Sequence, residues 1–322
     1  MQLVRTAARR FLRIRGRMDK PFKSIEEQIA LLSSRGMSVS ESAEEVLLRE
    51  GYYSIINGYK DPFIDRAASR GEGHDVYKSG ISFDDVHSLF TFDRNLRMIL
   101  FQRFFLAEET LKNVCAYRFS EAHRGETEPY LNPNNYDAPP HQISKLISRL
   151  DTAIGRNPKK QLMRKPYLDH YIRNHDEVPI WVLMKYLTLG EAFKFYCFQP
   201  EGMQNVIAKT FSELYAKSHV RQIRITPRRL RLAYDHIKDF RNICAHDERL
   251  YCARVAPSHD TTIAKMLKDI ELVISKEEYI DLIEDITRLV LSISRRLKPN
   301  EVELVLSSMG IKSVDDILEI AE

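Results

Sequence analysis

The chain has 322 residues, of which 43% are apolar and 29% charged, values typical of a globular protein with a sizeable core. No apolar run approaches the ~18 residues that cross a bilayer, so we expect no membrane partner. The net charge of +4 arises at the N-terminus, because residues 1–20 hold seven Lys or Arg and one Asp while the rest sums to −2. Affinity for nucleic acid must therefore come from local patches.

Composition and periodicity divide the chain into four predicted parts. Residues 1–20 are rich in Arg and are expected to form a basic, disordered extension, the alternative being an amphipathic helix that binds RNA or a membrane surface. From residue 21 onwards apolar residues recur every three or four positions, without the alternation typical of strands. We predict an all-α fold, a multi-helix bundle, with helical parts at 21–200 and 201–298 and short helices at 299–322.

The cysteines show none of the CxxC or Cys/His spacings of metal sites. They are Cys115, Cys197, Cys244 and Cys252. Their scatter is typical of small buried side chains in a reducing compartment. We therefore predict a cytoplasmic protein without metal or cofactor.

Two N-terminal segments carry local signals. Ser24 and Glu27 have the spacing of a capping box, which predicts the start of a helix. Residues 51–63 combine aromatic side chains with two glycines. Such a cluster either packs in the core around a tight turn or presents rings on which nucleobases stack.

Two apolar segments in the middle of the chain are predicted to be helical, and residues 82–122 are expected to form one or two helices. Within residues 82–122, Leu96, Leu100, Phe104 and Leu111 repeat at helical spacing and should face the core. The run from Pro179 to Gly190 is almost wholly apolar and predicts one more helix. Because this run holds the only Trp, Trp181, we expect it in the central core.

A basic patch precedes the most informative part of the sequence. Between residues 217 and 231 there are six cationic side chains and no acidic one, namely Lys217, Arg221, Arg224, Arg228, Arg229 and Arg231. Such a patch binds RNA in a salt-dependent way, through release of counterions. The alternative is an ordinary solvated face of a helix.

The segment 226–251 is predicted to form a helix with a polar outer face. Thr226 and Pro227 are typical of a helix start. The apolar stripe consists of Leu230, Ala233, Ile237, Phe240 and Cys244. Asn242 and His246 fall nearly opposite this stripe, with Asp239 and Arg249 expected on the same line. Arg241 lies at the edge of the stripe, from which its long side chain can reach the same space.

An imidazole beside a guanidinium suits cleavage of a phosphodiester without a metal. The imidazole moves protons near neutral pH, and the guanidinium holds a phosphate through paired donors. The spacing alone is weak, because Arg followed five positions later by His occurs four times, at Arg118/His123, Arg231/His236, Arg241/His246 and Arg254/His259. A solvated helix face is the competing interpretation of any one pair.

The surrounding sequence distinguishes the Arg241/His246 pair from the other three. From Arg241 to Tyr251 it is Arg-Asn-Ile-Cys-Ala-His-Asp-Glu-Arg-Leu-Tyr. It resembles the signature helix of the Abi-like (abortive infection) proteins of the HEPN superfamily of helical RNases. Further family-like landmarks occur in the same order, at residues 28–37, 51–59, 92–97 and 179–190. The resemblance spans roughly residues 20–255. It implies a HEPN-like helical core at 201–298, preceded by the N-terminal part of the Abi-like domain.

The resemblance implies a metal-independent endoribonuclease. In that case Arg241, Asn242 and His246 are catalytic. HEPN RNases often hold the catalytic Arg with an acid on a neighbouring helix, and Glu108 and Glu109 are the acids in the matching position.

Three residues after the imidazole are expected to support the site, namely Asp247, Arg249 and Tyr251. Asp247 departs from the family pattern, which often has Asn or His there. A carboxylate at this position is expected to act on the imidazole or to repel phosphate, and so to lower turnover.

The resemblance also implies the biological setting. Abi-like proteins act in phage defence, where cleavage of RNA stops infected cells from growing. Such a protein acts as a toxin on its own cell. The implied partners are an RNA substrate, an inhibitory or guide-like non-coding RNA, and a second copy of the chain that completes a composite active site. The alternative is a non-catalytic RNA-binding or protein-interaction module of a defence system. A metal hydrolase is not supported, because neither HExxH nor a clustered acid motif occurs.

Overall fold

The structure of the protein, a computed structural model, describes residues 22–155, 166–175, 177–255 and 260–319. The predicted extension at residues 1–20 lies outside these ranges. Within them the chain forms helices and isolated bridges but no strand. The predicted all-α fold is confirmed.

Two compact units can be distinguished within the described residues, one ending at Phe90 and the other beginning at Thr91. The predicted divisions near residues 200 and 298 stay predictions. The α-helices of the described ranges are α1 (Ile25–Ser34), α2 (Ala43–Glu50), α3 (Arg66–Glu72), α4 (Phe83–Ala122), α5 (Pro140–Ile154), α6 (Pro166–Asn174), α7 (Ile180–Leu183), α8 (Leu189–Cys197), α9 (Glu201–Ser218), α10 (Pro227–Ala245), α11 (Ile263–Ile270), α12 (Lys276–Ser294), α13 (Pro299–Met309) and α14 (Val314–Glu319).

The first unit packs around apolar residues of α1, α2 and the aromatic segment 51–63. Ser24 Oγ accepts a hydrogen bond from the N–H of Glu27, whose carboxylate accepts one from the Ser24 N–H, so the capping box is confirmed. Tyr59 and Phe63 are buried, and the Tyr59 ring meets Phe90 edge-on at 5.4 Å. These two rings therefore pack in the core, which is the first of the two alternatives for the segment 51–63.

The second unit is built on α4 and α10. α4 is one helix of 40 residues, and its predicted inward residues Leu96, Leu100, Phe104 and Leu111 are fully buried. α10 lies beside it, because the Tyr234 hydroxyl donates a 2.8 Å hydrogen bond to the Ala107 carbonyl. α8, α9 and α11 pack on α10, while α13 and α14 pack on α12. No helix in the described ranges is long and apolar enough to cross a membrane.

The run 179–190 is not the single helix that its apolar character predicts. α7 ends at Leu183, and the chain is extended at Leu187, with ψ 146°. Thr188 then starts α8 through a capping box with Glu191, so Gly190 lies inside the second helix. The backbone hydrogen bonds of this capping box favour a new helix over continuation of α7.

Trp181 does not lie in the core. It is 55% exposed, although the apolar run around it predicts a buried position. Ile180 and Leu183 take the inward face of the short helix α7 and are buried. Trp181 is therefore turned towards solvent.

Candidate functional site

α10 starts and packs as its sequence predicts. Thr226 Oγ1 accepts a hydrogen bond from the N–H of Arg229 at 3.2 Å, and Pro227 lies in the first turn. The fully buried members of the inward stripe are Leu230, Ala233, Ile237 and Phe240. Their burial fixes the rotation of the helix, which turns the opposite face to solvent. Asn242 and His246 are both exposed, as the periodicity predicts.

The helix ends at Ala245, with His246 as its C-cap. The His246 N–H donates to the Asn242 carbonyl at 3.0 Å, and the Glu248 N–H donates back to the Ile243 carbonyl at 3.1 Å. Asp247 between them is left-handed, with φ 57°. This arrangement is a Schellman-type turn, in which glycine is the usual residue at the left-handed position.

Arg249 lies beyond this turn, so the prediction that it continues the line of Asn242 and His246 is wrong. The prediction failed because the stop is marked by an aspartate and not by a glycine. Arg249 remains exposed.

Arg241 is held from α4. Its Nε lies 3.9 Å from Glu108 Oε2, and its guanidinium carbon lies 5.6 Å from the centre of the Phe101 ring. Glu108 is buried and accepts a 2.6 Å hydrogen bond from Lys112 Nζ. Glu109 is half-buried. Of the two predicted acids, Glu108 is thus the one at ion-pair distance from Arg241, whose own side chain is 29% exposed.

Side chains determine whether the C-terminal end of α10 can attract a phosphate. The C-terminus of a helix carries a partial negative charge, which disfavours a phosphate. Arg241 and Arg249 bring two permanent positive charges to the same region. The guanidinium of Arg241 lies at ion-pair distance from Glu108 and is still open to solvent, which suits it to an anionic ligand.

A buried carboxylate of α4 anchors the segment that follows the site. Asp93 is fully buried and accepts hydrogen bonds from the N–H of Leu250 at 3.0 Å and from the N–H of Tyr251 at 2.6 Å. Tyr251 is itself buried, so it supports the site from the core and its ring is not open to RNA.

Arg97 joins this anchor to the turn. Its guanidinium donates to Asp93 at 2.7 Å, to the Asp247 carboxylate at 2.6 Å and to the Glu248 carbonyl at 3.2 Å. The Asp247 carboxylate is thus paired with a guanidinium, which weakens any repulsion of phosphate. Sequence reasoning missed both Asp93 and Arg97, although the spacing of four within the family-like run 92–97 is a usable signal.

The structure separates the four Arg–His pairs. His236 is buried, and its Nδ1 lies 2.7 Å from an aspartate of α11, so its role is structural. His123 pairs with a glutamate at 3.0 Å. His259 lies outside the described residues. Among the described pairs, Arg241/His246 alone joins an exposed imidazole to a guanidinium that faces a buried acid.

The basic patch is exposed but lies far from His246. All six of its side chains, Lys217, Arg221, Arg224, Arg228, Arg229 and Arg231, are exposed. They occupy the end of α9, the following loop and the first turns of α10. Arg229 and His246 are 17 residues apart, which corresponds to about 25 Å of helix. One RNA strand must therefore run along α10 to contact both.

A cleft of about 650 Å³ lies elsewhere in the second unit. Tyr117 and Trp181 line it and are both more than half exposed. Four glutamates also line it, namely Glu121, Glu126, Glu128 and Glu177. Arg124 and His123 line it as well, and 13 residues of α4, about 20 Å, separate Glu121 from Glu108. The cleft is thus distinct from the Arg241/His246 pair.

Burial raises the pKa of all four thiols. Burial raises the pKa of Cys244 to about 12 and raises the pKa of Cys115 further. Both thiols therefore stay protonated near neutral pH. In the part of the chain that the structure describes, no group of three His, Cys, Asp or Glu side chains is placed to hold a metal ion.

The chain matches the family model described as Abi-like protein over residues 45–252. Comparisons with curated proteins and with solved structures gave no match. The matched range covers well over half of the sequence and contains most of the second unit's site, from Asp93 on α4 to Tyr251 after α10. The protein therefore belongs to the Abi-like family.

Proposed function

We propose that the protein is a metal-independent endoribonuclease of the HEPN type, acting in the cytoplasm as an abortive-infection effector or toxin. Membership of the Abi-like family suggests abortive-infection defence. The observation that carries the enzymatic part is the arrangement at the end of α10. An exposed His246 and Asn242 accompany an Arg241 that faces the buried Glu108.

The residues divide the work of transesterification among them. His246 removes the proton from the ribose 2′-hydroxyl, and the freed oxygen attacks the adjacent phosphorus. The bond from phosphorus to the 5′-oxygen breaks, and that oxygen takes up a proton. Arg241 stabilises the charge that develops on the phosphoryl oxygens, and Asn242 orients the phosphate. The products are a 2′,3′-cyclic phosphate and a 5′-hydroxyl.

A second imidazole would supply the proton for the leaving group. One His246 is poorly placed to act as base and acid in the same step. A two-fold dimer brings a second copy of the same residues across the interface. We therefore include a homodimer with a composite site in the proposal. A concentration-dependent loss of specific activity on dilution tests this part.

The central test is cleavage of end-labelled single-stranded RNA in the presence of EDTA. We expect cleavage by the wild-type protein and its loss in His246→Ala. His123→Ala is the matched control, because His123 also belongs to an Arg–His pair but faces a glutamate. Wild-type cleavage rates in His246→Ala, with circular dichroism unchanged, would refute the assignment.

The second candidate function is RNA binding without catalysis. It is favoured by the six exposed cations of the basic patch, which suit an inhibitory or guide-like RNA as well as a substrate. In the same assay this function gives a salt-sensitive gel shift with intact RNA.

A further inference from the structure

We propose that Asp93 and Arg97 are positioning residues that hold His246 in its working orientation. This inference rests on the proposed function, because it assigns a role at the same site. The pair is on α4, whereas the imidazole belongs to the C-cap residue of α10, about 150 residues away in sequence. Four contacts across this separation carry the argument.

The contacts surround the turn next to His246. Asp93 accepts the N–H groups of Leu250 and Tyr251 at 3.0 and 2.6 Å. Arg97 donates to the Asp247 carboxylate at 2.6 Å and to the Glu248 carbonyl at 3.2 Å. Four of the five residues from 247 to 251 are therefore hydrogen-bonded to side chains of α4.

His246 is coupled to these contacts through the backbone. It is a C-cap residue, with φ −99° and ψ 9°, so helical hydrogen bonding no longer fixes its carbonyl side. The peptide after it belongs to Asp247, which is left-handed and whose carboxylate accepts a hydrogen bond from Arg97. Fixing that peptide fixes the direction in which the imidazole leaves the backbone.

The choice of aspartate at this turn separates positioning from plain helix termination. A glycine at position 247 would adopt φ 57° without strain and would end the helix equally well. It has no carboxylate to bind Arg97. An aspartate accepts backbone strain and in return connects the turn to a buried ion pair on α4.

The experiment compares Asp247→Gly with Asp247→Asn and Arg97→Lys. Gly removes the carboxylate but suits the left-handed turn, whereas Asn suits the turn and keeps one acceptor for Arg97. Arg97→Lys keeps the charge but cannot reach three acceptors. We expect Asp247→Gly and Arg97→Lys to lower kcat by tenfold to about a hundredfold with KM nearly unchanged. Asp247→Asn should retain more activity than Asp247→Gly.

Two further readouts separate this proposal from the nuclease proposal. The His246 ring signals in NMR spectra should broaden or shift in Asp247→Gly, and the Leu250 and Tyr251 amides should exchange faster in Arg97→Lys. Neither measurement requires catalysis, so a wild-type protein that fails to cut RNA refutes the nuclease but leaves the positioning testable. Asp247→Gly with wild-type kcat and an unaltered His246 spectrum overturns the positioning role.

Discussion

Asp247 shows how one backbone angle explains a departure from a family pattern. Its φ of 57° is uncommon outside glycine, and Asn, Asp and His are the residues most enriched there. The family often has Asn or His at this position, so the three alternatives share a tolerance of the left-handed turn. The substitution by Asp keeps that tolerance and adds a carboxylate for Arg97. That carboxylate is paired with the Arg97 guanidinium, which weakens its repulsion of a phosphate.

Replacing Glu by Gln, separately at Glu108 and at Glu109, tests which of the two acids supports Arg241. Glu108→Gln removes the charge that faces Arg241, so we expect RNA cleavage to fall by roughly tenfold or more. Glu109→Gln is the matched control and should leave the rate within about twofold. The measurement is the single-turnover rate of RNA cleavage by each variant, compared at equal fractions of folded protein. Equal losses in the two variants would contradict the assignment of Glu108.

The sequence predicted which face of α10 is exposed, but it did not predict the Asp93–Arg97 pair of α4 that contacts the turn after α10. Leu230, Ala233, Ile237 and Phe240 repeat regularly enough to fix the rotation of the helix, and therefore the exposure of His246. The Asp93–Arg97 pair escaped prediction because its partners lie about 150 residues away. Local periodicity contains no information about contacts across such a separation.

Side-chain caps were predicted at two helix starts and overlooked at a third. Ser24 and Thr226 cap their helices as expected. The run 179–190 was misjudged because its apolar content suggested one helix, although Thr188 and Glu191 already had capping-box spacing. At the end of α10 the stop is Asp247, and no glycine marks it.

Two glycines that end helices should differ in their tolerance of alanine. Gly155 and Gly310 both have φ near 80°, at the ends of α5 and α13. Gly155→Ala meets open space and should lower the free energy of unfolding by about 1 kcal/mol. In Gly310→Ala the new methyl also overlaps the Thr262 side chain, whose Cβ is 2.8 Å away, and should cost about 1–3 kcal/mol more. Urea unfolding of the two variants provides the comparison.

The loop between α9 and α10 should make stability depend on pH. His219 is buried and stacked on Tyr215 with ring centres 3.7 Å apart, and burial lowers its pKa below the ordinary value of 6.5. The unfolded chain therefore binds more protons at this residue, and stability falls as the pH drops below about 6.5. We expect His219→Phe, which keeps the stacking, to show a smaller loss of Tm between pH 7.5 and 5.5. An identical loss in both proteins would exclude His219 as a source of the pH dependence.

At the scale of the whole molecule, the basic patch and His246 occupy opposite ends of α10. An RNA that contacts both must follow the helix for about 25 Å. Arg228→Ala with Arg229→Ala should therefore weaken binding and reduce the slope of log K against log salt by about 1.4, at roughly 0.7 per phosphate contact. Removing two exposed lysines elsewhere, by Lys145→Ala with Lys312→Ala, should leave the slope unchanged. A patch that plays no part in binding would give equal slopes in both double variants.

The exposed position of Trp181 supplies a natural optical reporter. As the only tryptophan, it accounts for the indole fluorescence of the protein, and its 55% exposure leaves it open to iodide quenching. Ligands that enter the acidic cleft should shield it and shift its emission to the blue. RNA held at Arg241, on α10, should leave the emission unchanged. One unlabelled sample can thus show which of the two surfaces a given molecule occupies.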